Sequence, residues 1–178
     1  MHTEHRQANL LGAFSLAVTD RVGAAVRKVA PSAGEGPAGL VAAATFLEGG
    51  SIEDLSRVLG LSHSATVRLV DKLELRGLLE RQGADNARSW AIVATESGDE
   101  TARRILDARV TVLAELLEPL SPSERGELSR LLEKLLGGLA SAGAGRKRIC
   151  RLCDGDACGH ETGHCPVTEA PRSDAAGR

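Results

Sequence analysis

Tyrosine is absent from this 178-residue chain, and the aromatic complement is Phe14, Phe46 and Trp90, 2% of all residues. An aromatic core is therefore excluded, and the interior has to be built from Leu, Val, Ile and Ala. Leu and Ala are strong helix formers, so the composition favours helices. The first 149 residues hold no cysteine, which excludes the dispersed disulfide framework of a small secreted fold. The longest largely apolar stretch runs from Leu40 to Leu47, far short of the roughly 20 residues that span a bilayer. The start, MHTEHRQANLLG, lacks a basic region followed by an apolar run, so no secretory signal is expected. These absences give the expectation of a soluble, cytoplasmic protein with no membrane partner. There is no excess of positive charge either. The formal net charge is −2, so nucleic-acid binding would have to rest on a local stripe rather than on bulk charge.

What is present is a globular balance, 42% hydrophobic and 26% charged. Leu10, Leu11, Phe14, Val18, Val22 and Val26 recur at spacings of three and four, which predicts an amphipathic helix over residues 8–29. Pro31, Gly34, Gly36, Pro37 and Gly39 break the chain. A helix is predicted from about Pro37 to Glu48, stopped by Gly49 and Gly50. Ser51 is a good N-cap for a helix over 52–59, with Asp54 three residues on, where a capping box prefers Glu or Gln. Gly60, Leu61 and Ser62 make a tight turn, with Leu61 expected to plug the angle between the helices. Ser62 caps a helix over 63–76 that stops at Gly77. Residues 78–82 and 89–95 read as strands of a hairpin. Residues 96–117 and about 122–140 read as helices, the second capped by Ser121 or Ser123. Residues 141–149 read as a linker, 150–166 as a cysteine-rich motif and 167–178 as a disordered tail. The fold class is mainly α with a small β-hairpin wing.

The order helix, tight turn, helix, hairpin is that of a winged helix-turn-helix. On the second helix Thr66, Val70 and Leu73 share the inward face, Thr66 being a slightly polar choice for it. Ser64, Arg68 and Asp71 project from the other side, and Arg68, Lys72 and Arg76 follow one another along its edge. Such a helix lies in the DNA major groove and reads base edges through its N-terminal part. Ser62, His63, Ser64 and Thr66 would supply short polar groups there, and Arg68 would reach a guanine or a phosphate.

Residues 51–98 resemble the DNA-binding core of the MarR family. The motif residues are Leu61, Ser62, Ser64, Arg68, Leu69, Val70, Asp71, Lys72, Leu73, Gly77, Leu78 and Arg81, then Asp85 and Arg88 at the wing tip, then Ala94, Thr95 and Gly98. Asp85 and Arg88 stand three apart rather than one or two, and Ala94 replaces the usual Leu. The resemblance implies that Arg88 enters the minor groove while Asp85 braces a neighbouring Arg, and it adds Arg81 to the DNA-binding set. It extends weakly to residues 8–140, with the winged helix at about 37–98 and dimerisation helices at about 8–29 and 98–140. Those outer helices carry more apolar side chains than a small domain can bury. The resemblance implies a homodimer on a near-palindromic duplex site, with half-sites about one helical turn apart. It also implies a cleft for a small-molecule effector. A helical bundle that packs on itself as a monomer is the alternative. The function expected is sequence-specific transcriptional regulation, most often repression. The alternative is a winged-helix interaction module without DNA. No nucleophile with a positioned base and no phosphate-binding Gly-rich loop is present, so no enzyme is expected.

The four cysteines run Cys150-x₂-Cys153-x₄-Cys158-x₆-Cys165, with His160 and His164 between the last two. A C-x₂-C step is a common half of a tetrahedral zinc site, and Cys158 and Cys165, or either His as an alternate, would complete it. Three further readings stay open: a reversible dithiol, with Arg146, Lys147 and Arg148 favouring the thiolate; an iron–sulfur cluster; or an unused tail. Without a ligand the segment has almost no apolar core and is expected to be disordered. A metal or redox change there would reach DNA binding through the 122–140 helix of the dimer interface.

Overall fold

The computed structural model describes residues 2–47, 49–83, 90–142 and 145–171. Helix α1 spans His2–Val29, a 3-10 turn follows at Pro31–Ala33, and α2 spans Pro37–Thr45. Helices α3 (Ile52–Leu59) and α4 (His63–Glu74) precede a hairpin of β1 (Leu79–Gly83) and β2 (Trp90–Ala94). Helices α5 (Glu96–Leu117), α6 (Pro122–Ser141) and the short α7 (Arg146–Ile149) complete the order. The chain is therefore mainly helical with one antiparallel hairpin, in which Leu79 pairs with Ala94 and Gly83 with Trp90. Gly50 adds an isolated bridge to Ile92, tying the loop after α2 to the wing.

The core sits where α1, α2, α3, α4, the hairpin and α5 meet. Leu40, Val41, Leu55, Val58, Val70, Leu73, Leu78, Leu79, Ile92 and Ile105 are buried there. It is aliphatic, as the composition requires. Caps set the helix starts. The Ser51 hydroxyl accepts from the Asp54 backbone N–H while the Asp54 carboxylate accepts from the Ser51 backbone N–H, so the capping box forms with Asp in place of Glu. The Ser51 hydroxyl and backbone N–H both donate to that carboxylate and hold its pKa below the ordinary 3.8. Ser121 and Glu124 repeat the device at α6.

Several boundaries differ from the sequence expectation. Helix α1 begins at His2 rather than residue 8, because the polar HTEHR segment continues the helix without apolar residues to signal it. Helix α2 ends at Thr45, α4 ends at Glu74, and both strands shift by about one residue. The 141–149 linker contains α7. The disordered tail expected over 167–178 is corrected over its first part: Val167 and Ala170 are buried beside Ala140 and Cys165, while residues 172–178 lie outside the described residues.

Candidate nucleic-acid interface

The turn between α3 and α4 places the second helix. Gly60 takes φ 65°, a left-handed conformation that ends α3 at little cost. The Ser56 hydroxyl then donates to the Leu61 carbonyl at 2.7 Å and closes the turn. Leu61 itself is 41% exposed and does not plug the angle between the helices; buried Leu55, Val58, Val70 and Leu73 do. Ser62 caps α4 by accepting from the Ala65 N–H at 3.3 Å.

Beyond that cap, His63, Ser64 and Arg68 are exposed along α4 together with Ser62. Among the described residues Arg68 has no carboxylate partner. Lys72 is exposed and lies 3.5 Å from Glu35, a pair that salt readily screens. Arg76 is exposed, with its guanidinium over Gly34. A shallow groove of about 300 Å³ runs beside this face, lined in part by Glu35, Leu61, Arg68 and Lys72.

Two members of the expected DNA-binding set are placed elsewhere. Thr66 is 0% exposed, and its hydroxyl donates to the Ser62 carbonyl at 3.0 Å, so it faces the core and reaches no base. Arg81 is 23% exposed at its side chain. Its guanidinium donates to the Asp71 carboxylate at 2.5 Å and also to the Glu74 carboxylate. It braces β1 against α4 and is engaged by two acids rather than free for phosphate. Asp85 and Arg88 lie outside the described residues. What the sequence missed is the role of Asp71 and Glu74. They count there as negative charges on the reading helix, yet they are spent on Arg81 from the side of the wing. Only the folded hairpin brings positions 71 and 81 together.

The wing is also tied at its far end. The Thr95 hydroxyl donates to the Gly77 carbonyl at 2.6 Å and accepts from the Gly98 N–H at 3.0 Å. Gly98 lies so close to the Leu78 carbonyl oxygen that a β-carbon there would overlap it. Trp90 is exposed at the wing, against Gly83.

Residues 48–88 match the MarR family model. A segment of 87 residues is 37% identical to the transcriptional repressor MprA of Escherichia coli K12, covering 48% of this chain and 49% of that relative. The chain thus matches about half the length of this relative. The crystal structure of RV1404 from Mycobacterium tuberculosis superposes with a TM-score of 0.64 at 23% identity, covering 78% of this chain and 94% of that one, a likeness of fold. CouR from Rhodococcus jostii RHA1, solved bound to p-coumaroyl-CoA, superposes with a TM-score of 0.52 at 26% identity, over 70% and 90% of the two chains. Residues 48–88 are thus similar to the MarR family, and the architecture matches that of MarR-family winged-helix structures.

Outside the winged helix two further surfaces stand out. Leu10, Leu11, Phe14 and Leu16 on α1, with Leu131, Leu132, Leu135 and Leu139 on α6, are large apolar side chains left exposed. The second surface is the cysteine segment, which folds as a series of turns. Its thiols draw together, with Cys150 and Cys158 packed against the buried Cys165. Cys158 Sγ and Cys165 Sγ are 3.7 Å apart, and Cys150 and Cys153 flank a turn closed by Cys153 N–H to the Cys150 carbonyl at 2.8 Å. Among the described residues no group of three or more His, Cys, Asp or Glu is arranged to hold a metal ion. His160 and His164 turn instead to the Thr168 and Thr162 hydroxyls, each at 3.0 Å.

The thiols divide into two acidic and two reluctant ones. The Cys150 thiol hydrogen-bonds to Cys153, and with the charge of Arg109 brings Cys153 down to about 6 against the cost of burial. Cys150 is raised correspondingly, by that bond and by burial. At Cys165 burial acts upward, but hydrogen bonds from the Thr168 hydroxyl and the Thr168 and Val167 backbone outweigh it and bring the thiol to about 7. Burial and the bond to Cys165 push Cys158 up to about 11.

Proposed function

We propose that the chain is a sequence-specific, double-stranded DNA-binding transcriptional regulator, a repressor, that acts as a homodimer. The observation that carries this reading is the presentation of α4. Ser62, His63, Ser64 and Arg68 form one exposed edge of a helix whose cap, turn and acidic residues are all internally satisfied. That edge suits the major groove, where short polar groups and an Arg read base edges. Lys72 and Arg76 continue it toward the phosphates.

The dimer is supported by the exposed leucines and Phe14 of α1 and α6, apolar faces that a monomer in water would leave uncovered. Two inputs to operator affinity are proposed. One is a small-molecule effector, suggested by the ligand-bound relative. The other is the cysteine segment, whose four thiols give it metal or redox responsiveness.

The test is selection of duplexes from a random-sequence pool by the reduced full chain, followed by footprinting. Enrichment of two half-sites related by a two-fold axis, centred about 10–10.5 base pairs apart, supports the reading. Absence of enrichment, with binding to a protein partner through the α4 face, would turn the winged helix into an interaction module.

A further inference from the structure

The sequence leaves zinc, an iron–sulfur cluster and a dithiol open at the cysteine segment, and the folded chain brings two of its thiols to short range. Among the described residues no group of three or more His, Cys, Asp or Glu is arranged to hold a metal ion; Cys150 and Cys158 pack against Cys165, and the thiol–thiol contact within hydrogen-bond reach is that of Cys158 with Cys165. The 158–165 pair is held by backbone. Gly159 takes φ 70°, a β-carbon there would meet His164 Cβ at 3.0 Å, and the His164 N–H donates to the Gly159 carbonyl at 2.9 Å. This turn brings two thiols seven residues apart to 3.7 Å. A disulfide is about 2.05 Å long, so bond formation draws the sulfurs together by about 1.6 Å. Cys158 is half-buried and within reach of a small oxidant, and Cys165, 2% exposed, lies behind it.

The same pair is wired to the helix-turn-helix. Cys165, Val167 and Ala170 pack with Ala140, Leu136 and Ile149. The Arg146 guanidinium donates to the carbonyls of Thr168, at 3.0 Å, and of Ala170. Arg146 opens α7, and two residues later the Arg148 guanidinium lies over Gly60. A β-carbon on Gly60 would stand 2.6 Å from Arg148 Cζ. A groove of about 330 Å³, lined by Leu47, Asp54, Arg57, Val58 and residues 145–148, runs along the joint between α3 and α7. Helix α7 is therefore a strap between the thiol pair and the turn that aims α4. This route differs from the path through the 122–140 helix expected from sequence.

We propose that Cys158 and Cys165 are a redox-active dithiol, that peroxide oxidises them to a disulfide, and that α7 carries the change to the Gly60 turn and weakens DNA binding. One thiolate attacks a peroxide oxygen; the O–O bond breaks, a sulfenic acid forms, and the departing oxygen takes a proton and leaves as water. The second thiol attacks the sulfenic sulfur, the S–S bond forms, and the sulfenic oxygen leaves as the second water. Two thiols lose two electrons and two protons, and one peroxide is reduced to two waters. Closing the bond moves the 165–170 turn that Arg146 grips and unseats Arg148 from the turn before α4.

The regulatory half rests on the DNA-binding reading, so chemistry and binding are measured separately. The reduced full chain, purified without oxygen, is treated with one equivalent of hydrogen peroxide. Intact mass and peptide mapping should show loss of two hydrogens and a Cys158–Cys165 link, reversed by dithiothreitol. Affinity for a duplex selected by the reduced chain should fall at least fivefold on oxidation, the lower end of typical coupling. Cys158→Ser and Cys165→Ser should each keep the reduced-form affinity after peroxide, while Cys153→Ser should still respond. Arg148→Ala should form the disulfide yet show the same affinity before and after. The proposal is overturned if peroxide links other cysteines or none, if one tightly held metal ion per chain shields all four thiols, or if the disulfide forms with no change in affinity. If the reduced chain selects no duplex while the link forms, the DNA-binding reading fails with the relay, and the dithiol stands on its mass alone.

Discussion

At the scale of single residues, the most informative positions are those whose surroundings reassign them. Arg81 matches a DNA-binding motif position in sequence and a structural brace in the fold, since Asp71 and Glu74 occupy its guanidinium. Arg81→Ala should therefore lower stability by roughly 1 kcal/mol, the upper end for a partly exposed ion pair. It should weaken specific DNA binding by loosening the wing from α4, with little change in salt dependence. Thr66 and Arg68 make a sharper contrast. Thr66→Val replaces a buried hydroxyl that serves only its own helix and should leave the sequence preference on DNA unchanged. Arg68→Ala should cost about 1–3 kcal/mol of discrimination at one base position, read by binding to single-substituted duplexes. The burial of Thr66 was legible from its spacing with Val70 and Leu73; the engagement of Arg81 was not, because its partners sit ten and seven residues back on another element.

At the scale of elements, the capped helix starts were readable and the long-range ties were not. Ser51, Ser62, Thr95 and Ser121 each occupy an N-cap and accept from a backbone N–H three residues on, which is why α3 and α5 begin where sequence places them. Ser51→Ala should cost about 1 kcal/mol of stability. The Asp54 carboxylate in that box is held below its ordinary value. Its contribution is complete above the unfolded pKa near 3.8 and fades as pH falls through the lower folded value. Asp54→Asn should thus flatten the acid limb of the stability curve while leaving the neutral-to-basic limb parallel to wild type. Helix α7 was invisible in sequence because four residues are too few to show a period, and its significance lies in what Arg146 and Arg148 touch. Gly98 belongs here as well. Thr95 and Gly98 match a family pattern, but the reason for glycine is the Leu78 carbonyl against it. Gly98→Ala should destabilise by about 1–3 kcal/mol through overpacking, measured by thermal or denaturant unfolding.

At the scale of the whole molecule, the net charge of −2 argues against a nucleic-acid binder only if charge is averaged. The acids on α4 are neutralised by Arg81 from behind, and the exposed edge keeps His63, Arg68, Lys72 and Arg76. The unburied leucines were equally legible as a surplus, since α1 and α6 carry more apolar side chains than the core accepts. Replacing Leu135 and Leu139 by Glu should shift the chain toward monomer in sedimentation and remove cooperative binding to a two-half-site duplex, while leaving the fold intact because both side chains are exposed. The central claim is that this surface binds DNA specifically, and the salt dependence of affinity tests it most directly. The reduced chain should be titrated with its selected duplex and with a scrambled duplex of equal length between 50 and 200 mM salt. Log affinity should fall linearly with log salt, with a slope of about 0.9 of a unit per tenfold rise in salt for each phosphate contacted, and the selected duplex should be held at least about 10³-fold more tightly than the scrambled one. Equal affinity for the two duplexes, or binding indifferent to salt, would contradict it.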